Sequence, residues 1–198
     1  MKDRDRGAPP TLTGNLADKN PAVRQRAASA IFALGLRQAV HRAEKWLDDP
    51  DVAREFIYSA NRIPLFTVGV AVEPPTFAQI HTANGSPRFA DVPADIDARE
   101  FELHFPGDVR IDVLTTREGR EDGAISRFLK KFGEGIQQVE MDVKSVERVT
   151  ELLRERFGVE AIYPSAREGA DGSRVNFFLV ADEVGAKMLI ELVEVGRG

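Results

Sequence analysis

The 198-residue sequence contains no cysteine, and no long apolar run interrupts its mixture of polar and apolar residues. The first absence excludes disulfides and thiolate metal sites. The second argues against a membrane-spanning helix, which needs about 18 consecutive apolar residues. An excess of basic residues is also missing, because the formal net charge is −5 and the pI is near 5.4. These features predict a cytoplasmic protein that binds neither membrane nor nucleic acid.

The chain changes character near Ile63. We expect residues 1–10, which are charged and contain proline, to be disordered. Residues 11–62 have apolar side chains at helical spacing and predict three helices, the first ended by Gly35, the second over 36–47 and the third over 50–60. This segment resembles a HEAT-type repeat through Leu16, Asp18, Pro21, Val23, Arg24, Ala27, Ala28, Ala30, Leu34 and Gly35. One and a half repeats cannot bury a continuous core, so Ala27, Ile31 and Leu34 should pack against another helix or a sheet edge.

Residues 63–198 predict a separate domain of strands and helices. The predicted strands are 66–72, 101–105, 109–116, 136–143, 161–165, 174–180 and 188–195. Helices are predicted at 75–83, around 125–132, and between a capping Ser145 and a terminating Gly158. We therefore predict the α+β class, with two βαβββ modules over about 65–116 and 135–195 that pair into a cup-shaped mixed sheet behind an N-terminal helical extension.

Each half ends in an apolar run broken by one acid, Asp112 in the first half and Glu191 in the second. A lone carboxylate in a buried strand costs several kcal/mol unless a partner, a metal or water satisfies it. We therefore expect these two acids to converge on one cavity. Strand alternation predicts the polar face of that cavity. Its members are Thr67, Glu102, His104, Asp112, Gln138, Glu140, Arg174, Asn176 and Glu191.

The stretch 122–143, the helix after it and the closing LIELVEV resemble the vicinal oxygen chelate superfamily, which includes glyoxalases, bleomycin-resistance proteins and extradiol dioxygenases. The likeness is to its methylmalonyl-CoA epimerase branch. The resemblance implies paired βαβββ modules around a divalent metal, with the ligand positions occupied by Thr67, Asp112, Gln138 and Glu191.

The resemblance also implies a departure from the family's metal chemistry, because its enzymes usually have histidine where this chain has Thr67 and Gln138. A set of hydroxyl, amide and carboxylate oxygens has no nitrogen donor, and it favours hard cations. We therefore expect either no cofactor or a magnesium, manganese or calcium ion.

Three functions fit these residues. The first is a binding protein that holds a small polar or anionic molecule with Arg174, Asn176 and Glu102, on a degenerate metal site. The second is a metal-dependent isomerase, epimerase or lyase acting through an enediolate, in which Glu191 or Glu140 moves the proton. The third is an interaction module whose helical segment docks a partner while the cup is vestigial. A homodimer is left open.

Each candidate also has a purely structural interpretation. Asp112 and Glu191 could pair with Arg174 as a buried ion pair. His104, the third catalytic candidate, could simply bond a neighbouring acid, and Gln138 could be a polar cavity residue. The two remaining histidines, predicted to be ordinary surface residues, are His41 and His81.

Overall fold

A computed structural model describes residues 10–60, 63–118 and 122–194, which adopt the predicted α+β class. The helices are α1 (Pro10–Asn15), α2 (Pro21–Asp48), α3 (Pro50–Ala53), α4 (Pro74–Ala83), α5 (Ala124–Phe132) and α6 (Val146–Phe157). The strands are β1 (Phe66–Ala71), β2 (Arg99–Phe105), β3 (Val109–Thr115), β4 (Gly135–Asp142), β5 (Arg167–Glu168), β6 (Arg174–Ala181) and β7 (Lys187–Glu194). Among the described residues, no helix has the length and apolar character needed to cross a bilayer.

The predicted disordered tail, residues 1–10, lies outside the described residues except for Pro10, where α1 begins. Residues 61–62 and the predicted strand end at Val195 also lie outside them. The predicted boundary between a helical segment and a separate domain near Ile63 stays a prediction.

The predicted helix break at Gly35 is wrong, because α2 continues through it for 28 residues. Gly35 has a packing role instead of a terminating one. A Cβ atom at this position would lie 2.7 Å from a methyl carbon of Val68 in β1, so glycine lets the helix approach the strand closely. The predicted pair of helices is thus one helix, and the HEAT-type resemblance is not confirmed.

The predicted third helix ends early, at Ala53 instead of residue 60. After it the chain becomes extended, with isolated bridges from Phe56 to Val143 and from Tyr58 to Pro64. The expected burial of the helical face is confirmed for Ala27 and Ile31, which are 3% and 0% exposed.

The described residues form two compact units, and the first contains those up to Gly35 together with Thr67–Gln137. In it β1 pairs with β3 in parallel and β2 pairs with β3 antiparallel. Helix α4 lies on the face that carries Phe101, since Phe77 of α4 contacts that ring. The core residues on this face are Val68, Val70, Phe77, Ile80, Phe101, Ile111 and Val113.

One strand predicted for the first module is missing, because only β2 and β3 follow α4 within residues 65–116. The loop between α4 and β2 occupies that part of the sequence. It contains Pro87 and Pro93, which have no backbone N–H for a strand ladder, and it is tied to β2 by a hydrogen bond from Ala90 N to Glu100 O.

The second unit contains Leu36–Phe66 and the described residues from Gln138 onward. Here β4 pairs with β7 in parallel, while β7 with β6 and β6 with β5 are antiparallel. Helix α6 contacts β6 and β7. Its predicted ends are confirmed, because the Ser145 side chain accepts a hydrogen bond from Arg148 N, and Gly158 is left-handed at φ 64°. The predicted strand at 161–165 is replaced by bends followed by the two-residue β5.

Candidate functional site

Strand register places three of the predicted site residues on one face of the first unit. Gly69 and Glu102 both lie opposite Asp112, one on each neighbouring strand, so all three side-chain positions share a face. Thr67 precedes Gly69 by two residues and therefore lies on the same face. Thr67 and Asp112 are 2% and 7% exposed, so this part of the face is buried. The predicted grouping of Thr67, Glu102 and Asp112 is confirmed.

His104 lies on the same face but at the exposed edge of β2. Its Nε2 atom is 3.5 Å from Oε2 of Glu102, and the two side chains are 69% and 40% exposed. This geometry is that of a solvated surface pair, which contributes little to stability. The structural interpretation of His104, a contact with a neighbouring acid, therefore agrees with the geometry.

An apolar cluster covers the other end of this face. Ala71 and Leu114 share the face of Asp112, and they pack with Ala98 and with Ile125 and Leu129 of α5. Helix α5 therefore covers the end of this face that carries Ala71 and Leu114.

In the second unit, the register brings two acids directly side by side. Glu140 of β4 lies opposite Glu191 of β7, and Phe177 of β6 lies opposite Glu191 on its other side. Gln138 shares this face because it precedes Glu140 by two residues. The predicted placement of Gln138, Glu140 and Glu191 on one face is confirmed.

A single amide links these acids. The Gln138 Nε2 group donates to Oε2 of Glu191 at 2.6 Å and to Oε1 of Glu140 at 3.3 Å. Gln138 and Glu191 are both 7% exposed. Two like charges that share one hydrogen-bond donor repel each other, and the amide offsets part of that repulsion. We name Gln138, Glu140 and Glu191 the acid cluster.

Apolar side chains that the sequence analysis missed surround the acid cluster. Leu189 lies opposite Gln138, and Leu179 lies opposite Leu189. Phe177 and Leu189 are half-buried, and Leu179 is 51% exposed. A surface with a charged centre and an exposed apolar flank suits a ligand that has a polar reacting group and a small hydrocarbon part. The sequence carried one sign of these apolar contacts. Along β6, apolar residues occupy positions that face both sides of the sheet.

The predicted orientation of Arg174 and Asn176 is wrong. They lie opposite Glu194 and Leu192 of β7, on the face away from Glu191. Arg174 pairs instead with Glu147 of α6, and this exposed pair leaves the acids of the opposite face without the predicted guanidinium.

Asn176 has a structural role in place of the predicted ligand contact. It is fully buried, its Nδ2 donates to Tyr163 O at 3.1 Å, and its Oδ1 accepts from Tyr163 N at 3.3 Å. These bonds fix the loop before β5 against β6. The residues predicted to anchor an anion in the cup therefore face the helix.

Of the two histidines predicted to be ordinary surface residues, His41 is exposed on α2 as expected. The prediction for His81 is wrong, because its ring is half-buried and stacks on Phe89 with 4.4 Å between centroids.

The acid cluster presents only oxygen ligands to a metal. Within the described ranges, no group of three or more histidine, cysteine or acidic side chains is arranged for metal binding. Two carboxylates and one amide would still suit a hard cation, provided that the Gln138 amide rotated to present its oxygen instead of its N–H group. The donors therefore fit magnesium, manganese or calcium better than zinc or cobalt.

Comparison by sequence finds no matching protein-family model and no matching curated protein. Comparison of structures does find relatives. Methylmalonyl-CoA epimerase from Mycobacterium tuberculosis is 30% identical, with a TM-score of 0.56, and the match covers 73% of this chain and 95% of that one. A hypothetical protein from Bacillus halodurans is 24% identical, with a TM-score of 0.53 over 67% of this chain and 94% of that one.

A variant of the Streptomyces coelicolor methylmalonyl-CoA epimerase, solved in complex with 2-nitronate-propionyl-CoA, is also similar. It is 22% identical, with a TM-score of 0.52, and the match covers 67% of this chain and 97% of that one. This likeness and the one to the Bacillus protein concern the fold alone.

Proposed function

The chain belongs to the vicinal oxygen chelate superfamily, on the branch of the methylmalonyl-CoA epimerases, and from that membership we propose that it is an isomerase that moves a proton on the carbon beside a carbonyl group. One observation carries the proposal: the buried carboxylate of Glu191 lies beside Glu140, with the Gln138 amide joined to both. A carboxylate is a suitable general base for a carbon acid, and a second one beside it can exchange the proton.

Each member of the acid cluster has a distinct proposed task. Glu191 takes the proton, because it is the more buried acid and accepts the shorter hydrogen bond. Gln138 holds that carboxylate in one orientation, which lowers the entropic cost of reaching the reacting geometry. Glu140, which is half-buried, passes the proton onward to solvent. The roles predicted for Thr67 and Asp112 stay predictions.

A hard cation, when bound, would polarise the carbonyl oxygen and so favour loss of the neighbouring proton. In the second unit, the side chains that would hold it are Gln138, Glu140 and Glu191. The proton transfer and the orientation of the base are tasks of the chain itself.

We propose a short branched acyl thioester of coenzyme A as the substrate class. The likeness to methylmalonyl-CoA epimerase from Mycobacterium tuberculosis, at 30% identity, supports it. The apolar flank of Phe177, Leu179 and Leu189 offers contacts that suit a small acyl group.

A second candidate, a binding protein without chemistry, is supported by the hydrogen bonds of Gln138. Its amide donates to both acids, which makes the acid cluster a preformed polar surface. Thr67 also supplies no nitrogen donor. On this proposal the acid cluster would bind the donor groups of a small polar ligand.

Proton exchange distinguishes the two candidates. Methylmalonyl-CoA is incubated with the protein in deuterated water, with magnesium, manganese, calcium or cobalt added in turn, and the α-proton signal is followed by NMR. The isomerase proposal expects catalysed exchange that falls about a hundredfold or more in Glu191→Gln. The matched control is Glu147→Gln, because Glu147 is an exposed acid on α6 that pairs with Arg174. Saturable binding without exchange would favour the binding protein, and neither binding nor exchange would refute both.

A further inference from the structure

A second cavity lies in the first unit, on the opposite face of the sheet from Asp112. Its volume is about 390 Å³. Arg99 and Phe101, two residues apart in β2, mark this face as the one covered by α4. The residues that line it include Phe77, His81, Phe89, Arg99, Thr116 and Glu118. We name this cavity the aromatic cleft.

Aromatic rings form one wall of the cleft. Phe77 and His81 are four residues apart on α4 and so lie on one side of that helix. Phe89 stacks on both rings, with centroid distances of 5.9 Å to Phe77 and 4.4 Å to His81. A hydrogen-bond contact between His81 Nε2 and Pro87 O, at 2.8 Å, joins the same loop to the helix. Phe89 nevertheless remains 40% exposed, so apolar surface is available to a ligand.

Arg99 contributes a positive charge to this wall. Its guanidinium carbon lies 4.9 Å from the ring centroid of Phe89 and 5.5 Å from that of Phe77. Within the described ranges these are the only interactions of the guanidinium, which forms no hydrogen bond or ion pair there. Contact with two rings holds the guanidinium in place while its N–H donors stay available, and such a fork is complementary to a carboxylate.

Glu118 contributes the opposite charge to the same cleft. It forms no ion pair with Arg99 in the part of the chain that the structure describes. A cavity that keeps a cation and an anion apart, beside exposed aromatic surface, is complementary to a molecule that carries both charges and an apolar group. The Thr116 hydroxyl adds one further hydrogen-bond donor and acceptor.

We propose that the aromatic cleft binds a free α-amino acid with an apolar or aromatic side chain. Its carboxylate binds Arg99, its ammonium group binds Glu118, and its side chain packs against Phe77 and Phe89. The cleft belongs to the first unit and the acid cluster to the second, so this proposal does not depend on the proposed isomerase activity.

The test titrates the full chain with three probes and follows amide shifts by NMR. L-phenylalanine has both charges, 3-phenylpropanoate lacks the ammonium group, and 2-phenylethylamine lacks the carboxylate. L-phenylalanine is expected to bind with a Kd of about 1 mM or tighter, and each truncated probe about tenfold more weakly. Arg99→Met should weaken both carboxylate probes and leave the amine unchanged, whereas Glu118→Gln should weaken both ammonium probes and leave 3-phenylpropanoate unchanged.

Arg54→Met is the matched control, because the Arg54 side chain, directly after α3, is 73% exposed and belongs to the second unit. Thermal melts check that every variant is folded. If Arg99→Met does not fold, Glu118→Gln still tests the proposal. No binding of L-phenylalanine at about 10 mM would overturn the proposal. So would equal binding of 3-phenylpropanoate and L-phenylalanine, because the Glu118 contact would then contribute nothing.

Discussion

Gly35 of α2 lies so close to Val68 of β1 that a Cβ atom on the glycine would be 2.7 Å from one methyl carbon of the valine and 2.8 Å from the other. Contacts this short require one group to move. Val68 is fully buried and branched at Cβ, so its methyl groups have little freedom to rotate away.

We expect Gly35→Ala to destabilise the protein by about 1–2 kcal/mol. Overpacking a buried contact destabilises a protein by about 1–3 kcal/mol, whereas alanine in a helix interior is more stable than glycine by up to about 1 kcal/mol. Urea unfolding of the two proteins measures the difference. In a Val68→Ala background the methyl groups are gone, so the same substitution should be neutral or stabilising by up to about 1 kcal/mol. Equal destabilisation in both backgrounds would show that the Val68 contact is not the cause.

This contact also explains why the sequence predicted a helix end that the protein does not have. A glycine near the end of an apolar stripe is the usual signal for a helix C-terminus, but close packing against another element demands the same residue. Only the position of Val68, more than thirty residues away in the chain, distinguishes the two causes. The end at Gly158 was predicted correctly because a capping serine and a regular apolar stripe agree with it.

The faces of the strands were likewise predicted correctly where the sequence pattern was regular, and wrongly where it was ambiguous. In β3 and β4 polar and apolar residues alternate regularly around Asp112 and Glu140, and the sequence predicted the polar face correctly. In β6 the run from Val175 to Val180 has apolar residues in both phases, so alternation alone could not orient Asn176. Pairing with β7 determines which β6 residues face each side of the sheet, and it turns Asn176 away from the acid cluster.

The orientation of β6 can be checked by comparing the stability of an Arg174 variant with that of an Asn176 variant. Asn176→Ala should cost about 2 kcal/mol, because it leaves the backbone groups of Tyr163 without their buried amide partner. Arg174→Ala should change stability by less than about 1 kcal/mol, because its pair with Glu147 is half exposed. Denaturant unfolding gives both values. If Arg174→Ala were instead the costlier change, or altered ligand binding, the residue would have to face the acid cluster as the sequence first indicated.

The start of α3 should make stability depend on pH. Hydrogen bonding lowers the pKa of Asp49, chiefly through the backbone N–H of Val52, with a further contribution from Arg156. A carboxyl with a lower pKa in the folded state adds stability above its unfolded pKa, and the added stability is lost as pH falls through the folded pKa. Asp49→Asn keeps an N-cap oxygen but does not titrate. Thermal melts between about pH 7 and pH 2 should therefore show that this variant loses less stability in acid than the parent protein does. Identical stability profiles for the two proteins would contradict this prediction.

The acid cluster should respond weakly to hard cations and only slightly more to zinc or cobalt. Added magnesium, manganese or calcium should raise the free energy of unfolding by less than about 1 kcal/mol, as expected when the cation barely exceeds its Kd. Zinc and cobalt should exceed manganese only slightly, because Gln138, Glu140 and Glu191 supply no nitrogen donor.

Neutralised variants identify the source of that response. Without a cation, Glu140→Gln and Glu191→Gln each remove one of two like charges that share the Gln138 donor, so both should be as stable as the parent or more stable. Both should also lose the cation response, while Glu147→Gln, on α6, keeps it. Thermal melts with each cation and with chelator measure these effects. A chelator-sensitive gain of about 2.7 kcal/mol, which corresponds to a hundredfold excess of cation over its Kd, would instead require a tightly held metal and a Gln138 amide that turns its oxygen toward the acids.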